Sequence, residues 1–220
     1  LTDADENVAV GTSALGADVL GSKSTAIGAS ALNVQNNVDG SGNPVAADMF
    51  NTAVGYYAGV AVTTGKLNTL IGGLAGDALT TGGSNVAVGH LALSLEDAHG
   101  YNVAIGDSAL SVQNAGADAY NVAIGYYSGF ATSTGIQNTF VGSATGAFHT
   151  TGNNNTFLGY ESGKSITGAR LTGASNTAVG CQAGLLLQGA ANNNTLIGAQ
   201  AADLLTTGTY NVGVGAASLG

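Results

Sequence analysis

The sequence has few of the residues that cross-link proteins or give them charge. It contains one cysteine, one proline, no tryptophan, and four Lys and Arg residues against 13 Asp and Glu, for a net charge of −9. A single cysteine excludes an internal disulfide framework and a cysteine-based metal cluster. The acidic balance argues against nucleic acid or an anionic membrane as a partner. No apolar run approaches the roughly 18 residues that a membrane span needs.

Sequence motifs for catalysis are also missing. The chain has no G-x-S-x-G elbow, no H-E-x-x-H pair and no phosphate-binding loop with its lysine. We therefore predict no catalytic residue, no cofactor and no metal site. Glu96 and Asp97 form the only adjacent acidic pair beyond the N-terminus, so a paired-carboxylate hydrolase stays open as an alternative.

What the chain has in abundance is glycine and aliphatic residues. Hydrophobic residues make up 45% of the sequence and charged residues only 8%, which excludes a disordered chain. The 36 glycines follow no third-residue spacing, which excludes collagen. Since Leu1 is not an initiator methionine, we expect the chain to be a piece of a longer protein.

One five-residue phrase recurs twelve times: a polar residue, valine or threonine, a third residue, an aliphatic residue, and glycine. The phrases begin at residues 7, 24, 51, 68, 85, 102, 121, 138, 155, 176, 194 and 211. Because the spacing is 17 residues in most intervals, it predicts a solenoid in which each repeat is one coil. We predict one array over residues 1–220, interrupted by insertion loops at 33–50 and 164–175.

The phrase has the pattern of a short β-strand. Side chains alternate along a strand, so the second and fourth positions share one face and the third position lies on the other. Both faces are apolar. We expect the aliphatic fourth position to build the coil and the third position to contact partner chains in a parallel homotrimer. The largest third-position residues, and hence the predicted trimer contacts, are Leu70, Phe140, Phe157 and Leu196.

The rest of each coil predicts a tight return segment, which leads the chain back to the start of the next strand. Three residues past the phrase's glycine stands only alanine, serine or threonine, and glycine-rich returns such as Thr63-Thr64-Gly65 follow. Two short strands and two turns would fill about 17 residues, and twelve coils would extend roughly 55–60 Å. The asparagine that opens eleven of the twelve phrases is expected to hydrogen-bond along the stack rather than to bind a ligand.

These repeats resemble two families of extracellular fibres. Ser24-Thr25-Ala26-Ile27-Gly28 and Asn102-Val103-Ala104-Ile105-Gly106 resemble the head repeats of trimeric autotransporter adhesins. The 17-residue period, the Tyr-Tyr-Ala-Gly run at 56–59 and the Thr-Thr-Gly returns look more like the repeats of bacteriophage tail fibres. The resemblance implies an all-β fold, a left-handed parallel β-roll solenoid of about twelve coils that forms a parallel homotrimer on a virion or bacterial surface.

The resemblance implies a function in host attachment. The expected role is a shaft or head segment of a phage tail fibre that presents a surface to a glycan or protein receptor on the host cell. The alternative is the head of a bacterial trimeric surface adhesin. An ice-binding solenoid is a third hypothesis, since threonine occupies the second position in seven of twelve coils and valine in five.

Candidate receptor contacts are the residues that depart from the repeat. Tyr56 and Tyr57 recur as Tyr126 and Tyr127, 70 residues later, which indicates duplication of a block of coils. Tyrosine has an apolar ring with a polar tip, suited to stacking on sugars, but the same rings could fill a groove between chains. In the 164–175 loop, Lys164 and Arg170 supply half of the chain's cations. Such loops either contact receptors or are tolerated variation in surface turns.

Overall fold

The computed structural model describes residues 5–220 and contains only β-strands as regular elements in that range. Twelve three-residue strands form one parallel sheet in the order β1-β3-β5-β6-β7-β8-β9-β10-β11-β12-β13-β14, and two short strands form a second sheet, β2-β4. The strands are β1 Val8–Val10, β2 Gly21–Ser22, β3 Thr25–Ile27, β4 Ala47–Asp48, β5 Thr52–Val54, β6 Thr69–Ile71, β7 Val86–Val88, β8 Val103–Ile105, β9 Val122–Ile124, β10 Thr139–Val141, β11 Thr156–Leu158, β12 Thr177–Val179, β13 Thr195–Ile197 and β14 Val212–Val214.

Each phrase pairs with the next phrase in matching register. Thr52 pairs with Thr69 and Ala53 with Leu70, and the same correspondence holds from β1 to β14. The register is maintained even across the longest interval between phrases, since Ala26 pairs with Ala53 although the 33–50 insertion lies between them. The predicted parallel solenoid of about twelve coils is therefore confirmed.

The expectation of a second strand in each coil is wrong. After the strand comes a turn segment, residues 56–62 in the third coil, in which the second and fourth residues after the glycine have positive φ. In the fifth coil these are Leu91 (φ 55°) and Leu93 (φ 54°). The Leu91 N–H donates to Gly73 of the preceding coil at 3.1 Å, and the Leu93 N–H donates to Ala109 of the following coil at 3.0 Å. These inter-coil bonds offset the unfavourable left-handed backbone.

The glycine that ends each phrase is required by both backbone conformation and space. Gly72 has φ +136°, and a Cβ on it would lie 2.5 Å from the carbonyl oxygen of Gly89 in the next coil. The coils approach one another too closely at this corner for any side chain.

The third position of the phrase fills the lumen, so the predicted orientation of the strand was inverted. Leu70, Phe140, Phe157 and Leu196 are fully buried inside their own chain and cannot be the trimer contacts that we expected. The second and fourth positions face outward instead. The small residue three places past the glycine is buried opposite the third position in most coils, as at Ala75 and Ala92.

Side-chain volumes across the lumen are complementary. Where the third position is Ala87 or Ala104, the left-handed site four residues past the glycine carries Leu93 or Leu110. Where the third position is Leu70, Phe140 or Phe157, that site carries glycine, and beside Leu196 it carries Ala202. It also carries glycine in the coils that precede Leu70, Phe140 and Leu196, since a Cβ on Gly59 would lie 2.6 Å from Leu70. A Cβ on Gly146 would lie 2.8 Å from the Phe140 ring. A large third-position side chain therefore occupies the lumen at the expense of the neighbouring left-handed sites, which places the third position inside.

The asparagines that open the phrases form a buried ladder, as predicted. The Oδ1 atom of Asn51 accepts the backbone N–H of Asn68 at 2.9 Å, and Asn68 Oδ1 accepts that of Asn85 at 3.0 Å. The amide group also closes its own coil, because Asn68 Nδ2 donates to the Gly82 carbonyl at 2.9 Å. The pattern repeats down to Asn211. Most of these side chains, such as that of Asn68, thus join two coils and two segments of one coil.

The ladder is interrupted where serine replaces asparagine. The short Ser24 hydroxyl is supplemented by buried Gln35, whose Nε2 donates to Ser24 Oγ at 3.1 Å and to Asp18 Oδ2 at 2.9 Å. Gln35 Oε1 accepts from Asn51 Nδ2 at 2.8 Å, which reconnects the next coil.

The insertions fold back onto the stack. In the first, Asp39 Oδ1 accepts the N–H groups of Ser41 and Asn43, and Val38 bridges Pro44 in antiparallel fashion. In the second, Ile166 bridges Ala169, and the chain then rejoins the solenoid through Leu171, which bridges one residue on each side.

We expect Asn68→Ala to destabilise the solenoid by about 1–3 kcal/mol, since it leaves the buried Asn85 N–H and Gly82 carbonyl without these partners. The effect is measured as a lower midpoint of urea unfolding, monitored by circular dichroism. The midpoint is the appropriate quantity because a repeat array need not unfold in a single two-state step. The control is Asn114→Ala, because Asn114 is exposed and its side chain makes no hydrogen bond within residues 5–220. Equal midpoints for the two variants would contradict a stabilising ladder.

Candidate functional surface

The strand face is an outward surface that runs along the whole stack. It carries the second and fourth positions of all twelve phrases, which are valine or threonine and valine, isoleucine or leucine. In the inner coils these side chains are partly exposed, for example 37% for both Ile71 and Ile124. Because every strand is in register, they form two parallel rows along the whole stack.

The two tyrosine pairs lie on the turn segments of the third and seventh coils. The Tyr56 and Tyr57 rings are 4.4 Å apart, and the Tyr126 and Tyr127 rings are 4.5 Å apart at a similar tilt. Tyr126 is 56% exposed. Four coils separate the pairs, a distance of about 19 Å, so they form two copies of one feature and not one site.

The predicted loop cations differ in their surroundings. Lys164 contacts the Glu161 carboxylate, and this hydrogen bond lowers the pKa of Glu161. Both residues line a cavity of about 280 Å³ whose apolar side includes Phe148 and Leu185. Arg170 is exposed and does not line the cavity. The structure thus separates Lys164 from Arg170 and both from the tyrosine pairs.

One cluster of metal-ligand side-chain types occurs in the described part of the chain: Glu96, Asp97 and His99 each have a ligand atom within 4.8 Å of the others. Glu96 Oε1 already accepts the backbone N–H of His99 at 3.1 Å and lies 3.3 Å from its Nδ1 atom. The acidic pair noted in the sequence therefore points its two side chains differently, with Glu96 buried and Asp97 exposed.

Comparison with protein-family models found no match, and comparisons with curated proteins and with solved structures found no significant similarity. Residues 5–220 include no helix of the length and hydrophobicity that crossing a membrane requires.

The sequence pattern did not predict correctly which face of the strand points outward, because both faces are apolar. A signal for it was nevertheless present. Every coil with a large third-position residue has glycine or alanine at the site four residues past the phrase's glycine, whereas the second and fourth positions keep nearly constant size. Paired variation in volume is expected of residues that share an enclosed lumen.

His149 is a buried titratable group in the lumen, at a position held by Leu79 and Leu187 in other coils. Its Nε2 atom lies 3.1 Å from Asn155 Nδ2, and its Nδ1 atom lies 3.3 Å from Thr132 Oγ1. The imidazole packs beside the Phe140 ring. Burial lowers the pKa of His149 to about 3.

The depressed pKa of His149 predicts a loss of stability on acidification. Below pH 6.5 the unfolded chain binds a proton at His149 that the folded chain does not bind until about pH 3. The contribution of neutral His149 to the free energy of unfolding is therefore complete above pH 6.5 and falls by about 1.4 kcal/mol per pH unit below it. We expect His149→Leu to remove this slope, as measured by urea midpoints between pH 7 and 4.5. A variant with the wild-type slope would contradict a neutral, buried His149.

Proposed function

We propose that the chain is a segment of a trimeric host-attachment fibre of a bacteriophage. In this proposal three parallel solenoids pack through their strand faces. Their turn and return segments are then presented to the surface of a host cell. The observation that carries the proposal is the unpaired apolar strand face, which runs through all twelve coils.

An apolar face of this length is expected to be buried against another surface. Soluble monomers rarely expose contiguous apolar patches larger than a few hundred Å². Ile27, Ile71, Ile124 and Ile197 each leave 37–40% of their surface exposed, and the rows between them are valine, isoleucine, leucine and threonine. Burying these rows would contribute roughly 25 cal/mol for each Å² of apolar surface removed from water.

A second copy of the chain is the partner that fits this face best. The rows repeat at the coil spacing of about 4.8 Å over the full length of the stack. A parallel copy has the same spacing and length, so each aliphatic side chain can meet its equivalent without loss of register. The number of three chains comes from the resemblance to fibre and adhesin repeats.

The remaining surface suits attachment rather than catalysis. Its variable positions lie on the turn and return segments, outside the strand face, and include the two tyrosine pairs and the insertion loops. Three identical chains would present each feature three times, which raises avidity without new contacts. The 17-residue period and the Thr-Thr-Gly returns support a phage fibre over the head of a bacterial adhesin.

A second candidate function is supported by the outward orientation of the second position. Seven threonines and five valines form one flat row beside a row of aliphatic residues, a regular array of the kind that could order water or bind ice. This function requires the strand face to be free, so it is incompatible with the trimer.

The oligomeric state separates these candidates. We expect sedimentation velocity to give three times the chain mass for the wild type and a smaller species for Ile71→Lys/Ile124→Lys, because six lysines would then enter the shared interface. The control, Leu95→Lys/Leu204→Lys, changes two exposed apolar residues outside the strand face and should stay trimeric. A folded wild-type monomer would contradict the proposal, and inhibition of ice recrystallisation by that monomer would support the second candidate.

The attachment role is tested by cell binding. Cys181 is the only cysteine and is exposed, so it accepts a maleimide fluorophore. We expect the labelled protein to bind saturably to some strains in a panel of bacteria in flow cytometry, with competition by unlabelled protein. Binding to animal cells but to no bacterium would indicate the adhesin alternative, and binding to neither would contradict attachment by this segment.

A further inference from the structure

The return segments of the third to sixth coils enclose a groove of about 340 Å³ that none of the sequence motifs indicated. It lies along the row of residues that directly precede the opening asparagines. In successive coils this row contains Leu67, Ser84, Tyr101 and Tyr120. Ser84 has the smallest side chain of the four, so the row has a gap between Leu67 and Tyr101.

One end of the gap is an aromatic face. The Tyr101 and Tyr120 rings are stacked, with centroids 5.0 Å apart and planes 9° from parallel. Tyr120 covers one side of Tyr101, and Tyr101 lines the groove whereas Tyr120 does not. The uncovered face of Tyr101 therefore borders the gap. The backbone holds the ring in place, since the Tyr101 N–H donates to Gly83 at 3.2 Å.

Polar groups surround the aromatic face. Lys66 lines the groove and forms no ion pair with a carboxylate within residues 5–220. On the Tyr101 side, Asp118 accepts the Gly100 N–H through Oδ1 at 3.0 Å, which orients the carboxylate and leaves Oδ2 for a ligand. The Ser84 and Thr81 hydroxyls complete the lining, and glycine backbone forms part of the floor.

We propose that this groove binds one pyranose ring of a host-surface polysaccharide. A pyranose has an apolar C–H face that can stack on Tyr101 and a rim of hydroxyls that can donate to Asp118 and accept from Lys66. A concave site with one apolar wall and a few converging polar groups is the general form of a small-ligand site. The Asp118 carboxylate and the chain's net charge of −9 disfavour a strongly anionic ligand.

This inference rests on the proposed host-attachment function, whose cell-binding test is separate. Purified wild-type protein, in its native assembly, is titrated by calorimetry with solubilised mannan, dextran, galactan and N-acetylglucosamine oligomers, and the same preparation is assayed on bacterial cells. We expect saturable binding to at least one of these carbohydrates.

The chain offers a matched pair of variants for the groove. Ser84→Leu fills the gap with the residue that Leu67 already places at the same coil position and at the same left-handed φ, 61° against 58°. Gln137→Leu makes the corresponding change two coils beyond Tyr101, outside the groove, at φ 59°. We expect Ser84→Leu and Tyr101→Ala to weaken carbohydrate binding by at least about tenfold and Gln137→Leu to leave it unchanged. Tyr101→Phe, which keeps the ring, should retain most of the affinity.

Unchanged affinity in Ser84→Leu would overturn the assignment of the groove. Wild-type protein that binds cells but none of the four carbohydrates would overturn the pyranose proposal while leaving host attachment intact. Protein that binds neither would overturn both.

Discussion

The hydrogen bonding of the buried asparagine that opens eleven of the twelve coils is the interaction on which the rest of the structure depends. Its Oδ1 atom accepts an N–H from the next coil, and its Nδ2 atom donates to the return segment of its own coil. The side chain thereby sets both the stagger between coils and the closure of each coil. An amide group is suited to this role because it offers an acceptor and a donor on opposite branches. Without it, a buried backbone N–H of the next coil and a backbone carbonyl of the return segment would lack these partners.

The lumen imposes a second constraint, that of limited volume. A coil with Ala104 at the third position has Leu110 across the lumen, whereas Phe140 is flanked by Gly129 and Gly146. Each large third-position side chain therefore has glycine or alanine at the site where other coils have leucine. Because interiors are packed at crystal-like density, neither site can change alone. A few coils have a polar residue in the interior, such as Gln35 or His149. These side chains are tolerated because they have hydrogen-bond partners there.

Outside the lumen the solenoid is much less constrained. The residues that precede the twelve phrases lie on the outside of the stack, and they range from Lys23 and Phe50 to Ser84 and Tyr101. A rigid stack with variable outer positions can change what it binds without changing how it folds. The strand face is the exception, because its nearly constant aliphatic rows indicate a common requirement along the whole molecule. In the proposed fibre, chain association would impose that requirement, and the variable positions would serve recognition.

The sequence by itself determined the solenoid, its period, its parallel register and the asparagine ladder. All four follow from a phrase repeated at fixed spacing, since equivalent residues must stack when coils of equal length are wound together. It did not show that the turn segment is left-handed backbone and not a strand, because Leu91 and Leu93 have no local preference for positive φ and adopt it through bonds to adjacent coils. Only the tertiary structure decided which apolar face of the strand lies inside. The alternation of side chains assigns residues to two faces but does not indicate which face is buried. That choice depends on the width of the lumen, a property of the closed coil. The groove at Ser84 likewise exists only after stacking, when residues 17 apart become neighbours.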